Sequence, residues 1–160
     1  MSSHTPACEL LGIEHPIVQA PISADPRLPA AVSNAGALGS VALAWADDAG
    51  DLVRETAALT DRPFAGNFVL SRSDQQHRLD QALSAGLRIV SFIFGDPQSY
   101  VDSVHDAGGL LVHTVGSTDK PGAQPFAHAA CPPPLPPSAQ DVGVFAGRFN
   151  LCPAQMSSGI

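Results

Sequence analysis

Two polar side chains could do chemistry, because each lies within an otherwise apolar stretch of the sequence. Asn67 interrupts the run 64–70, and asparagine is disfavoured in strands. Its amide, with both donors and an acceptor, either satisfies a neighbouring loop or pairs with the edge of a heterocyclic ligand. His113 lies in the run 110–115 and is either a structural histidine or a base beside a cofactor. The residue types alone leave these alternatives open.

Motifs for metal binding and nucleophilic catalysis are weak or missing. His128 and Cys131 resemble one half of a zinc site, but no second pair follows at a suitable spacing, so we predict no metal site. Neither a G-x-S-x-G sequence nor a phosphate-binding G-x-x-x-x-G-K-S/T sequence occurs. The three cysteines have no C-x-x-C spacing, which predicts unpaired thiols in a cytoplasmic protein.

The charge balance bears on the partners of the protein. Eight basic and 15 acidic residues give a net charge of −7, which argues against a nucleic acid or an anionic membrane surface as a partner. No apolar run approaches the length of a membrane span, and the N-terminus lacks the pattern of a secretory signal. We therefore expect a cytoplasmic protein that acts on a small molecule.

The elements that must position these side chains follow a regular alternation. Apolar stretches begin near residues 17, 40, 64, 88 and 110 and are separated by segments with helical periodicity. Helices are predicted to begin at Asp25-Pro26, at Asp47-Asp48, at a capping box over 73–76 and at Asp96-Pro97. This repeat indicates an α/β protein with a parallel sheet of about five βα units, either a doubly wound open sheet or part of a (β/α)₈ barrel.

Ligands of parallel α/β folds bind beyond the carboxyl ends of the strands. The predicted ends carry few titratable groups, and apolar side chains with exposed backbone amides suit a flat aromatic cofactor better than acid–base hydrolysis. These ends are 20–23, 43–44, 67–68, 92–95 and 114–117.

The composition changes after residue 120. Prolines cluster at 121–125 and 132–137, and the charged side chains beyond Lys120 are Asp141 and Arg148. Such sequence favours irregular or polyproline II structure. We therefore divide the chain into a region of repeated βα units at 1–119, the N-terminal part of the fold, and an irregular proline-rich tail at 120–160. A docking role for the tail is disfavoured because it lacks basic flanking residues.

Several segments together resemble the nitronate monooxygenase (2-nitropropane dioxygenase) family. The resemblance covers about residues 9–119, and related FMN barrels such as flavin-dependent enoyl reductases share much of its first motif. It is carried by residues 11–21, 30–40, 59–64 with Asn67, and 90–92 with Phe94-Gly95.

The resemblance implies a TIM barrel that holds FMN at the carboxyl ends of its strands. Enzymes of this family oxidise alkyl nitronates with FMN and dioxygen and give a carbonyl compound and nitrite. On the matching positions, the backbone of Ala20, Pro21 and Ile22 would lie against the flavin ring, and Asn67 would be the FMN-contacting asparagine.

This chain also departs from the family pattern. Ile22 stands where the family usually has methionine, and Ile93 where it often has histidine. No position matches the phosphate-binding loops and catalytic histidine of the later half of the family. We therefore expect a truncated member, impaired in activity, whose tail arises from a change of reading frame. Its unpaired sheet edges would favour self-association, and the alternative is a non-catalytic barrel fragment that is stable only in association.

Overall fold

The computed structural model describes residues 5–114, and the predicted tail at 120–160 lies outside them. The described chain alternates helices with short strands, and turns of 3₁₀-helix follow β1 (Leu43–Trp45) and precede α5 (Gln98–Tyr100). The elements are α1 (Pro6–Leu11), α2 (Arg27–Asn34), β1 (Gly39–Ala42), α3 (Ala49–Ala57), β2 (Phe64–Val69), α4 (Gln75–Ser84), β3 (Ile89–Ile93), α5 (Val101–Asp106) and β4 (Leu110–Thr114).

The four strands form one parallel sheet in the sequential order β1-β2-β3-β4. A helix separates each strand from the next, and right-handed crossovers between sequential neighbours place those helices on the same face. A doubly wound sheet would need a reversal of strand order, which the described sheet does not contain. The sequential strand order is therefore that of a barrel.

The helix-covered face of the sheet holds the larger core. Phe68 and Phe92 lie on neighbouring strands with ring centroids 5.9 Å apart, and Tyr100 packs 5.3 Å from Phe92. Both phenylalanines are fully buried because α3, α4 and α5 supply apolar stripes at helical spacing. From those helices come Leu52, Val53, Leu79, Ala82 and Val104.

The opposite face is closed only toward the amino ends of the strands. There α1 contributes Cys8 and Leu11, which pack with Ile13. Ala65 of β2 and Ile89 of β3 belong to this second core together with Leu38, which directly precedes β1, and Leu110 and Val112 pack against it. The carboxyl half of this inner face is left for a ligand site.

The predicted first strand is wrong in extent, because within residues 17–20 the structure has only an isolated parallel bridge, from Val18 to Leu38, the residue before β1. Beyond the bridge, the side chain of Gln19 takes the place of a neighbouring peptide. Its Oε1 accepts from the Ser40 N–H at 3.2 Å and its Nε2 donates to the Ser40 carbonyl at 3.2 Å. Pro21, two residues after Gln19, has no N–H to extend a ladder.

Of the predicted helix starts, the one at Asp47-Asp48 is confirmed and the capping box at 73–76 is not. Asp48 caps α3, with its carboxylate accepting from the Asp51 N–H at 2.8 Å. The Asp25 carboxylate accepts from the Arg27 N–H at 3.0 Å, with Pro26 as the cap residue of α2. The capping box at 73–76 is wrong, because Asp74 precedes α4 in a left-handed conformation and forms no side-chain cap bond.

Candidate ligand recess at the carboxyl ends of the strands

An open recess of about 620 Å³ occupies the carboxyl half of the inner face, a volume within the usual range of small-molecule sites. The described residues that line it include no aspartate, glutamate, lysine or arginine. The walls come from inward-facing positions of all four strands, from the turn after β1 and from the extended segment 16–21. Its polar side chains are those of Gln19, Ser40, Asn67, Ser91, His113 and Thr114.

Asn67 lies in the middle of the recess wall and is 4% exposed. The register of β2 and β3 pairs it with Ser91, and its Nδ2 donates to the Ser91 Oγ at 3.0 Å and to the Ser91 carbonyl at 3.3 Å. Within residues 5–114 no hydrogen bond reaches the Oδ1 of Asn67. The amide is thus oriented by the sheet and keeps an acceptor for a ligand.

The segment predicted to lie beneath a cofactor borders the same recess. Ala20 and Pro21 line it, so the structure brings them together with Asn67. Ile22 is 80% exposed, and its N–H donates to the Ala20 carbonyl at 2.9 Å. The Ser23 carbonyl accepts from the Ala42 N–H at 3.0 Å, which ties the segment to the end of β1.

His113 borders the recess at the end of β4 but belongs to the other face of its strand. Side chains alternate along a strand, so His113 follows Leu111, which packs against the helix-covered core, whereas Val112 faces inward. Burial lowers the pKa of His113 below its ordinary value, and the Asp96 carboxylate opposes that shift. A neutral imidazole is therefore favoured at this position.

Trp45 is a recess residue that the sequence reasoning missed. It lies at the end of the 3₁₀ turn after β1, lines the recess and is 55% exposed. Phe94, which follows β3 in a left-handed conformation with φ 58°, lines the recess from the other side and is 67% exposed. The signal for Trp45 was its place directly after a strand end, as the single tryptophan of the chain.

The described part of the chain has neither a candidate metal site nor a candidate membrane span. Residues 5–114 hold no group of three or more histidine, cysteine, aspartate or glutamate side chains that could bind a metal ion. None of the helices described there has the length and apolar character needed to cross a membrane.

Sequence comparisons match this chain to oxidoreductases. It is 33% identical over 121 residues to a (3aS,4S,5R,7aS)-5-hydroxy-7a-methyl-1-oxo-octahydro-1H-indene-4-carboxyl-CoA dehydrogenase of Mycobacterium tuberculosis, which covers 73% of this chain and 34% of that protein. A nitronate monooxygenase of Paraburkholderia phytofirmans is 50% identical over 70 residues, covering 41% of this chain and 19% of that protein. The chain thus spans about a third of the length of the first of these curated relatives and about a fifth of the second.

Solved structures agree on the fold. FabK from Thermotoga maritima superposes with a TM-score of 0.65 and 30% identity, over 71% of this chain and 38% of that one. A nitroalkane oxidase from Streptomyces ansochromogenes superposes with a TM-score of 0.59 and 24% identity, over 72% and 44%. The described sheet is accordingly part of a TIM barrel. The sequence model of the nitronate monooxygenase family matches residues 4–124, and the chain belongs to that family.

Proposed function

We propose that the recess binds the flavin ring of FMN and that the chain contributes to an oxidoreductase that oxidises alkyl nitronates with dioxygen. The observation that carries the proposal is that the described wall of the recess has no charged side chain and presents the amide of Asn67. Apolar walls with a few fixed polar groups are typical of sites for flat aromatic cofactors. Family membership supports the same reaction class.

The residues of the recess fit the ring of the cofactor. Ala20 and Pro21 offer a backbone surface held to β1 through Gln19, and the Oδ1 of Asn67 offers an acceptor for a ring N–H. FMN would supply the electron transfer between the nitronate carbon and dioxygen. The protein would hold the ring and exclude water from its face. A role for Ile22 at the ring rests on its backbone, because its side chain points to solvent.

Flavin binding and turnover test the proposal. We expect added FMN to quench the emission of Trp45, which lines the recess, and to give a flavin absorbance spectrum that persists through gel filtration. With a primary alkyl nitronate the FMN-loaded protein should consume oxygen and release nitrite. If FMN neither quenches the emission of Trp45 nor stays bound through gel filtration, the proposal is contradicted.

The role of His113 as a base stays a prediction. The variant His113→Gln tests it in the nitrite assay.

A second candidate is a flavin-dependent oxidoreductase of thioester substrates. The observation that favours it is the longer match to the mycobacterial carboxyl-CoA dehydrogenase, 121 residues against 70 for the nitronate monooxygenase. The two candidates share the flavin site and differ in substrate. Nitrite release supports the first, and turnover of an acyl-CoA without nitrite release supports the second.

The proposal has two further parts, which are self-association through the sheet edges and a boundary between barrel and tail at 119/120. Within the described sheet, β4 and the bridged segment 17–20 form the two edges. We propose that these edges pair with another chain, since an unpaired apolar edge is a template for association. Light scattering across a concentration series tests this, and a monomer at every concentration would contradict it. Limited proteolysis tests the boundary proposed at 119/120.

A further inference from the structure

Arg72 lies against the face of Trp45, a residue that lines the recess. Its guanidinium carbon is 5.5 Å from the centre of the Trp45 ring, a cation–π distance. The Arg72 N–H donates to the Val69 carbonyl at 3.0 Å, which fixes the turn at the carboxyl end of β2. Trp45 ends the turn after the neighbouring strand, β1. Two adjacent strand ends thus hold a cation on an aromatic surface.

The guanidinium of Arg72 has no carboxylate partner among the described residues. Among residues 5–114, Arg27, Arg54 and Arg62 each form an ion pair, whereas Arg72 forms none, as is also the case for Arg78 and Arg88, which do not contact Trp45. Asp74 lies two residues beyond Arg72 but forms no ion pair with it within residues 5–114. In a chain with 15 acidic and eight basic residues, a cation left unpaired beside an uncharged recess keeps its donors for an external anion.

We propose that Arg72, held on Trp45, binds the carboxylate or phosphate of an amphipathic organic anion whose apolar part occupies the recess. This inference rests on the proposed function, because it treats the recess as the substrate site and adds a substrate class to it. The described residues that line the recess carry no charge, so Arg72, held on Trp45, supplies a counter-charge for a negative group on the ligand. Trp45 restricts the guanidinium to one face of its ring, which lowers the entropic cost of binding.

The emission of Trp45 gives a direct assay, since the chain has a single tryptophan. The probes are hexanoate, hexyl phosphate and the neutral hexanamide, which share one alkyl chain. We expect the preferred anion to bind about tenfold more tightly than hexanamide, as a charge-assisted bidentate contact would give. In Arg72→Gln that preference should disappear, while hexanamide binding stays the same. Whether carboxylate or phosphate is preferred identifies the source of the charge.

Arg62→Gln is the matched control, because it removes the same charge before β2, at the amino end of the sheet. It should keep the preference for the anion. Arg72→Lys, which retains the charge but not the planar fork, should keep part of it. Calorimetry repeats the comparison independently of the tryptophan signal, and circular dichroism verifies that each variant folds.

Two results would overturn the inference: equal binding of anion and amide by the native chain, or a preference that survives in Arg72→Gln. Either result would identify the Arg72–Trp45 contact as a surface cation–π pair only. FMN binding is measured separately on the same samples. Loss of FMN binding with the anion preference intact contradicts the proposed function, and FMN binding without the preference contradicts this inference.

Discussion

Asn67 and Ser91 face each other across β2 and β3, and the Asn67 Nδ2 donates to the Ser91 Oγ at 3.0 Å. This bond fixes which end of the Asn67 amide points to its neighbour and which remains for a ligand. The sheet therefore orients the polar group at the centre of an uncharged recess before any ligand binds. Preorganisation of this kind saves the cost of ordering the side chain on binding.

Asn67→Ala should weaken FMN binding about tenfold, because it removes one hydrogen bond to the ring, worth about 1 kcal/mol or slightly more. Ser91→Ala removes the Oγ acceptor but leaves the Ser91 carbonyl, to which Nδ2 also donates, so its effect should be smaller. Quenching of Trp45 by FMN measures both affinities. Equal losses for the two variants would show that orientation by Oγ matters as much as the amide itself.

Much of the sheet could be predicted from the sequence because its strands are continuous apolar runs. The predicted strands near 64, 88 and 110 are confirmed as β2, β3 and β4, and Asp48 is confirmed as the cap of α3. The choice between a barrel and a doubly wound sheet needed the strand order, since both have the same local periodicity.

The predictions that failed depend on side-chain hydrogen bonds and a turn that the sequence pattern does not show. Nothing in the apolar run 17–20 shows that the Gln19 amide will replace a peptide in the ladder. The capping box failed because the Gln76 side chain, which should reach back to the Ser73 N–H, instead donates to the Asp80 carboxylate at 2.8 Å. The site was predicted at the strand ends, but Trp45 enters it only through the turn at Leu43–Trp45.

Gln19→Ala should loosen the segment that carries Ala20 and Pro21. The Gln19 side-chain amide bonds to Ser40 through both Oε1 and Nε2, and its Nε2 also donates to the exposed Ala20 carbonyl at 3.3 Å, so the variant loses three hydrogen bonds. Its free energy of unfolding should fall by about 1–3 kcal/mol. The Ser40 amide should exchange with deuterium faster than in the native chain. Gln19→Glu is the matched variant, because its carboxylate accepts from the Ser40 N–H but repels the Ser40 carbonyl. Unchanged exchange at Ser40 in both variants would contradict the role of Gln19.

Phe68→Ala should be the costly core substitution. Phe68 is fully buried against Phe92, and removing such a ring costs about 3–5 kcal/mol of unfolding free energy. Phe94→Ala removes an equal volume from a side chain that is 67% exposed, so its cost should be far smaller. Urea titration of the two variants compares the costs directly. Similar losses would mean that Phe94 is covered in solution.

His113→Gln should flatten the dependence of stability on pH. Burial lowers the pKa of His113 below its ordinary 6.5, so the unfolded chain takes up a proton more readily than the folded one as pH falls. The contribution of the neutral imidazole is thus fully present above pH 6.5 and is lost as the pH falls through the lowered pKa. Between pH 7.5 and 5.5 the urea midpoint of the native chain should fall more than that of His113→Gln. His77→Gln, at an exposed histidine of α4, should behave like the native chain. If the urea midpoint falls by the same amount in all three proteins, groups other than His113 cause the decline.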